Sequence, residues 1–136
     1  LHPRTRAALG SLDNLNARGA LRITAPVGSM ESLAAIARAA CVITDSGGVQ
    51  REAYWLGVPC VTIRRETEWT ETIECGANRL VDPAQARAQL GAAVRDAAVQ
   101  RRDWNRDAYG DGTAATRIVD AIENLPIRRK AIADAR

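Results

Sequence analysis

An open, doubly wound α/β sheet is the fold class that this sequence predicts, and three observations carry it. Short apolar runs rich in β-branched residues alternate with segments of helical period, and each junction carries turn or cap chemistry. The run "CVITD" (41–45) is too uniformly apolar for a strand with one wet face, as expected of a central parallel strand. A length of 136 residues with 46% hydrophobic and 26% charged side chains suits one globular domain with its own core.

The elements follow in order. "LRITAP" (21–26) reads as a short strand ended by Pro26. In "GSMESLAAIARAA" the residues Met30, Leu33, Ile36 and Ala37 recur at helical spacing, with Ser29 as the cap. "CVITD" is the next strand, and "SGGVQREAYWLG" is a helix that begins at Ser46 and stops at Gly57, a glycine placed for a C-terminal cap. "VPCVTIR" (58–64) is a strand, "ETEWTETIECG" a loop with a short helix, and "NRLVD" (78–82) a last short strand. Pro83 opens a long alanine-rich helix running to Trp104, since proline is tolerated in a first turn. "AYGDG" (108–112) breaks the chain before a final helix, "TAATRIVDAIENL", capped by Thr113, and the basic tail 126–136 is expected to fray.

Composition excludes several function classes. No apolar run approaches the roughly 20 residues of a bilayer span, and "LHPRTR" lacks the apolar segment of a secretory signal. A soluble, cytoplasmic protein without a membrane partner is expected. The chain starts at Leu1 and its single methionine is Met30, so it reads as a piece of a longer reading frame. Its net charge of +3 comes from 19 basic and 16 acidic side chains that are interspersed, which argues against a nucleic-acid partner. Cys41, Cys60 and Cys75 form no C-x-x-C pair and His2 is the one histidine, so metal and disulfide readings both fail. Cys41 and Cys60, at the edges of apolar runs, are read as small buried hydrophobes.

In a doubly wound sheet ligands bind beyond the carboxyl ends of the strands, and Ser46, Gly47 and Gly48 stand at such an end. The first N–H groups of a helix lack intrahelical partners, and the macrodipole adds about half a positive charge there. An anion fits. Glycines remove the Cβ atoms that would hold a phosphate away, while the Ser46 hydroxyl either caps the helix or donates to a phosphate oxygen. Glu52 lies four residues past Gly48, on the same face and about 5.4 Å along the axis, where a carboxylate accepts hydrogen bonds from vicinal hydroxyls. Diphosphate at the glycines and ribose at Glu52 satisfy both ends. The plainer alternative is a tight strand-to-helix turn followed by a solvated acid. The stretch is neither G-x-x-x-x-G-K-[ST] nor G-x-G-x-x-G, which disfavours ATP and dinucleotides.

The stretch "TDSGGVQREAYWLGVPCVTIRRETEW", with "HPRTR" before it and "AYGDGTAATRIVDAI" after it, resembles the non-hydrolysing UDP-N-acetylglucosamine 2-epimerases. In particular it resembles the branch that includes UDP-2,3-diacetamido-sugar 2-epimerases. The likeness spans about residues 1–125 and implies a Rossmann-like lobe of UDP-binding type, the C-terminal one of a glycosyltransferase-B-type two-domain protein, incomplete at its N-terminus. The implied reaction eliminates UDP, leaves a glycal-type intermediate and re-adds UDP with inversion at C2, with no cofactor. Ser46, Gly47 and Gly48 match the family's diphosphate-binding residues and Glu52 its ribose-binding glutamate. The family's catalytic acids belong to the N-terminal domain, which is the implied partner together with a UDP-sugar; a homodimer is a further candidate. The chain alone is therefore expected to be inactive. An inactive UDP-binding remnant and a glycosyltransferase donor lobe are the alternatives.

Departures from the family pattern put the sugar and the base site in question: Arg65 and Thr70 replace an aspartate and a proline, Trp69 marks the "ETEW" branch, and Ser29 and Ser32 replace larger residues beside the uracil. Arg64, at a strand's carboxyl end, either reaches the diphosphate or pairs with Glu66 or Glu68. His2 is either a ligand contact or structural. Gln50 and Arg51 either support the loop or face solvent, and Trp104 and Tyr109 are read as packing anchors.

Overall fold

The computed structural model describes Ala7, residues 21–99 and residues 103–125. The chain divides into two compact units, Leu1–Trp104 and Asn105–Arg136.

In the first unit the described elements are α1 (Ser29–Arg38), β1 (Val42–Thr44), α2 (Gly47–Leu56), β2 (Cys60–Thr62), α3 (Thr70–Glu74), β3 (Asn78–Leu80), a 3-10 turn (Pro83–Gln85) and α4 (Ala86–Ala98). The strands form a parallel sheet in the order β1-β2-β3, with Val42 opposite Cys60 and Thr44 opposite Thr62, then Cys60 opposite Asn78 and Thr62 opposite Leu80. Successive side chains of a strand point to opposite faces. Cys60 accordingly joins Ile36, Ala53 and Val58 under α1 and α2, whereas Val61 joins Val81, Ala93 and Ala97 under α4. Helices on both faces make the sheet doubly wound, as the sequence predicts.

The structure corrects several expectations. Residues 21–26 form no strand: β propensity at Ile23 and Thr24 does not make a strand without a neighbouring ladder, and the segment is largely exposed. Gly28 rather than Ser29 is the N-cap of α1, its N–H donating to Glu31 Oε2 at 3.1 Å. In β1, Ile43 shares the face of Val61 yet is 48% exposed, because α4 packs over β2 and leaves it uncovered. The helix expected to reach Trp104 ends at Ala98. Asp82 accepts from Ala84 N–H at 2.8 Å to start the 3-10 turn, and Trp104 lies outside α4, buried, with its indole N–H donating to the Tyr54 carbonyl at 3.2 Å. Gly57 takes the left-handed conformation (φ 70°) that a helix-ending glycine supplies.

The second unit holds α5 (Ala114–Glu123). Thr113 stands at its N-cap, but its hydroxyl donates to Asp111 Oδ1 at 2.5 Å instead of bonding the helix. Residues 126–136 and His2 lie outside the described residues. Among the described residues no helix is long and apolar enough to cross a membrane, and no cluster suits a metal ion.

Candidate functional site

The carboxyl ends of β1 and β2 lie side by side, because Thr44 pairs with Thr62. Two segments leave this edge: the turn into α2, and the loop 63–69 that precedes α3. At the first, Ser46 is the N-cap in an extended conformation (φ −85°, ψ 126°), fixed by its N–H donating to Thr44 Oγ1 at 3.0 Å. Its side chain makes no capping bond, so the hydroxyl of this exposed residue is not committed to the helix. The first intrahelical bond runs from Gln50 N–H to the Ser46 carbonyl at 3.2 Å. The N–H groups of Gly47, Gly48 and Val49 precede that bond and have no acceptor within the helix.

The two glycines differ in surroundings. A Cβ on Gly48 would meet nothing nearer than Ser46 Oγ at 3.8 Å, so this side of the first turn is open. A Cβ on Gly47 would collide with Glu68 Oε1 and lie 3.0 Å from Trp69 Nε1. Gly47 is small because loop 63–69 lies against it, and Gly48 is small beside free space. Glu52, half-buried one turn beyond Gly48, makes no ion pair among the described residues.

Loop 63–69 is held by a buried polar network. Gln50, fully buried on α2, accepts from Thr67 Oγ1 at 2.7 Å and from Asn78 Nδ2 at 3.1 Å. Asn78 accepts from Thr62 Oγ1 at 2.8 Å and also donates to Thr72 Oγ1 at 3.3 Å. Thr72 in turn donates to the Trp69 carbonyl at 2.7 Å, and Trp69 N–H donates to Thr67 Oγ1 at 3.2 Å. The Arg51 guanidinium stacks on the Trp69 ring, 4.1 Å from its centre. Gln50 and Arg51 thus support the loop, and Trp104 is a packing anchor.

Arg64 pairs with Glu68 at 2.9 Å. The Glu68 carboxyl is held below its ordinary value, first by a backbone hydrogen bond, with Arg64 adding attraction. The sequence reading missed Glu68 and Trp69 as neighbours of Gly47. The signal existed only in the register of β1 with β2, which brings the loops after both strands together.

The sequence model of the UDP-N-acetylglucosamine 2-epimerase family matches residues 1–123. The chain is 40% identical over 131 residues to the UDP-2,3-diacetamido-2,3-dideoxy-D-glucuronate 2-epimerase of Pseudomonas aeruginosa, covering 92% of this chain and 34% of that protein. It is 40% identical over 122 residues to the UDP-N-acetylglucosamine 2-epimerase of Methanocaldococcus jannaschii, covering 88% of this chain and 32% of that protein. The crystal structure of a Methanocaldococcus jannaschii UDP-GlcNAc 2-epimerase in complex with UDP-GlcNAc and UDP superimposes with a TM-score of 0.71 at 38% identity, over 90% of this chain and 34% of that one. The chain spans about a third of the length of these relatives.

Proposed function

Because the chain belongs to the UDP-N-acetylglucosamine 2-epimerase family, we propose that it is the nucleotide-holding lobe of a UDP-sugar 2-epimerase. The observation that carries the reading is the open side of Gly48, flanked by the uncommitted Ser46 hydroxyl and followed one turn later by Glu52. The diphosphate sits on the first N–H groups of α2 with Ser46 donating, and Glu52 accepts from the ribose hydroxyls. Arg64, at the carboxyl end of β2, adds a cation. The sugar is UDP-GlcNAc or a diacetamido relative, in keeping with what the similar proteins act on.

In the reaction, loss of the C2 proton and cleavage of the anomeric C–O bond release UDP and leave a glycal. Proton return to the opposite face and re-addition of UDP invert C2. Donors already aimed at the departing diphosphate lower the barrier as charge develops there. An acid and a base must lie within hydrogen-bond reach of C2, and the reading places them on the portion of the relatives that this chain does not span. The chain alone accordingly binds UDP and makes no epimer. Three free thiols fit a reducing compartment, so the reading places the protein in the cytoplasm.

Calorimetry with UDP tests the site. Gly48→Val is expected to abolish binding with far-UV circular dichroism unchanged, and Glu52→Ala to narrow the preference for UDP over inorganic diphosphate. Equal affinity in the first variant, or an unchanged preference in the second, removes the corresponding assignment.

A further inference from the structure

We infer that the Glu68 carboxylate is an internal anion stationed at the first turn of α2, which a bound diphosphate must displace and which holds Arg64 until it does. The inference rests on the diphosphate reading of that turn. Glu68 Oε2 pairs with Arg64 Nη1 at 2.9 Å, and Oε1 occupies the space where a Gly47 Cβ would project. One carboxylate therefore engages the arginine at the end of β2 and sits against the positive end of the α2 dipole. These are two features that an entering diphosphate would use.

The carboxylate is not there by chance of a long side chain. Thr67, the residue before it, is fastened to buried Gln50 at 2.7 Å, and Trp69, the residue after it, lies under Arg51 at 4.1 Å. The backbone on both sides of Glu68 is thus fixed, while its own side chain is 51% exposed and turns outward by giving up its contacts with Arg64 and the Trp69 side chain. Two anions cannot share one helix terminus without repulsion. When diphosphate arrives, Glu68 rotates to solvent and Arg64 exchanges a carboxylate for a phosphate oxygen, one charge-assisted bond for another.

Glu68→Gln keeps the shape and a neutral acceptor for Arg64 but removes the competing charge. UDP titrated calorimetrically at low salt is expected to bind this variant roughly fivefold more tightly than the unsubstituted chain, a factor suited to a half-exposed charge. The gain should shrink as salt is added. Unchanged or weaker binding by Glu68→Gln, with UDP still bound by the unsubstituted chain and lost in Gly48→Val, overturns the displacement idea and leaves the diphosphate site standing. Failure of the unsubstituted chain to bind UDP, or full affinity in Gly48→Val, overturns both.

Discussion

The Thr67 hydroxyl donates to Gln50 Oε1 over 2.7 Å, and this bond fastens the loop after β2 to the helix after β1. Both flank the edge where an anion would enter, so the position of Glu68 and Arg64 depends on a buried amide that touches neither. Gln50 is also bound by Asn78 at 3.1 Å, and its Oε1 must face that donor, since a flipped amide would set two N–H groups against each other.

Gln50→Leu keeps most of the volume and deletes the acceptor. Thr67 loses its buried acceptor and the Asn78 amide nitrogen one of its two acceptors, while the unpartnered Gln50 Nε2 is removed as well, so the net cost should be about 1–3 kcal/mol. Urea unfolding should show a lower midpoint with an unchanged slope. Amide exchange in loop 63–69 should rise more than in α4; a uniform rise would mean that the bond stabilises the domain without positioning the loop.

Gly47 and Gly48, adjacent in sequence, should respond oppositely to alanine. At Gly48 the new methyl group meets only Ser46 Oγ at 3.8 Å, so reduced chain entropy in the unfolded state should raise stability by up to about 0.5–1 kcal/mol. UDP affinity should fall in the same variant, a gain in stability set against function. At Gly47 the methyl group collides with Glu68 and crowds the Trp69 indole at 3.0 Å, so stability should drop and Trp69 should leave its stack with Arg51. Denaturation and tryptophan emission read both effects; similar behaviour of the two variants would contradict the geometry.

Periodicity and turn chemistry located α2 and its glycine stop correctly, because both are local: apolar spacing and the need for φ 70° at Gly57 are properties of one segment. That the strands run parallel also followed, from the alternation of strands and helices, but their order did not: β1, expected as a central strand, stands at the end of the described sheet. The end of α4 was not legible, since Gln100, Arg101 and Arg102 are good helix formers with no glycine or proline before Trp104, and the bond from the Trp104 indole to the Tyr54 carbonyl is a tertiary contact that no local pattern reveals. The same holds for the glycine pair. Its position at a strand-to-helix turn was readable, but Gly47 packs against residues more than twenty positions away, and such a contact leaves no periodic trace.

Trp104 is buried in the first unit. Its indole N–H reaches the Tyr54 carbonyl at 3.2 Å, an acceptor that also takes Gly57 N–H at 3.1 Å. Trp104→Ala should destabilise by about 3–5 kcal/mol through the cavity it leaves. Trp104→Phe should cost far less, about 1 kcal/mol, because the carbonyl keeps its bond to Gly57. Thermal unfolding of the two variants separates packing from hydrogen bonding; equal losses would assign the anchor to the bond.

Cys60 ties stability to alkaline pH. Burial beneath α2 pushes its thiol from 9.0 up to about 11, partly offset by the Thr62 hydroxyl 3.6 Å from Sγ. The folded state therefore favours the neutral thiol. Since the folded value lies above the unfolded one, this contribution is fully present below about pH 9 and is lost as pH rises towards about 11. Two units correspond to about 3 kcal/mol over that window. Urea titrations from neutral to alkaline pH should show the unsubstituted chain losing this stability, while Cys60→Ala, less stable at neutral pH because of the missing sulfur, should show a shallower decline. The two curves should converge at high pH. Parallel curves would mean that Cys60 stays neutral in both states and that another group governs the alkaline limb.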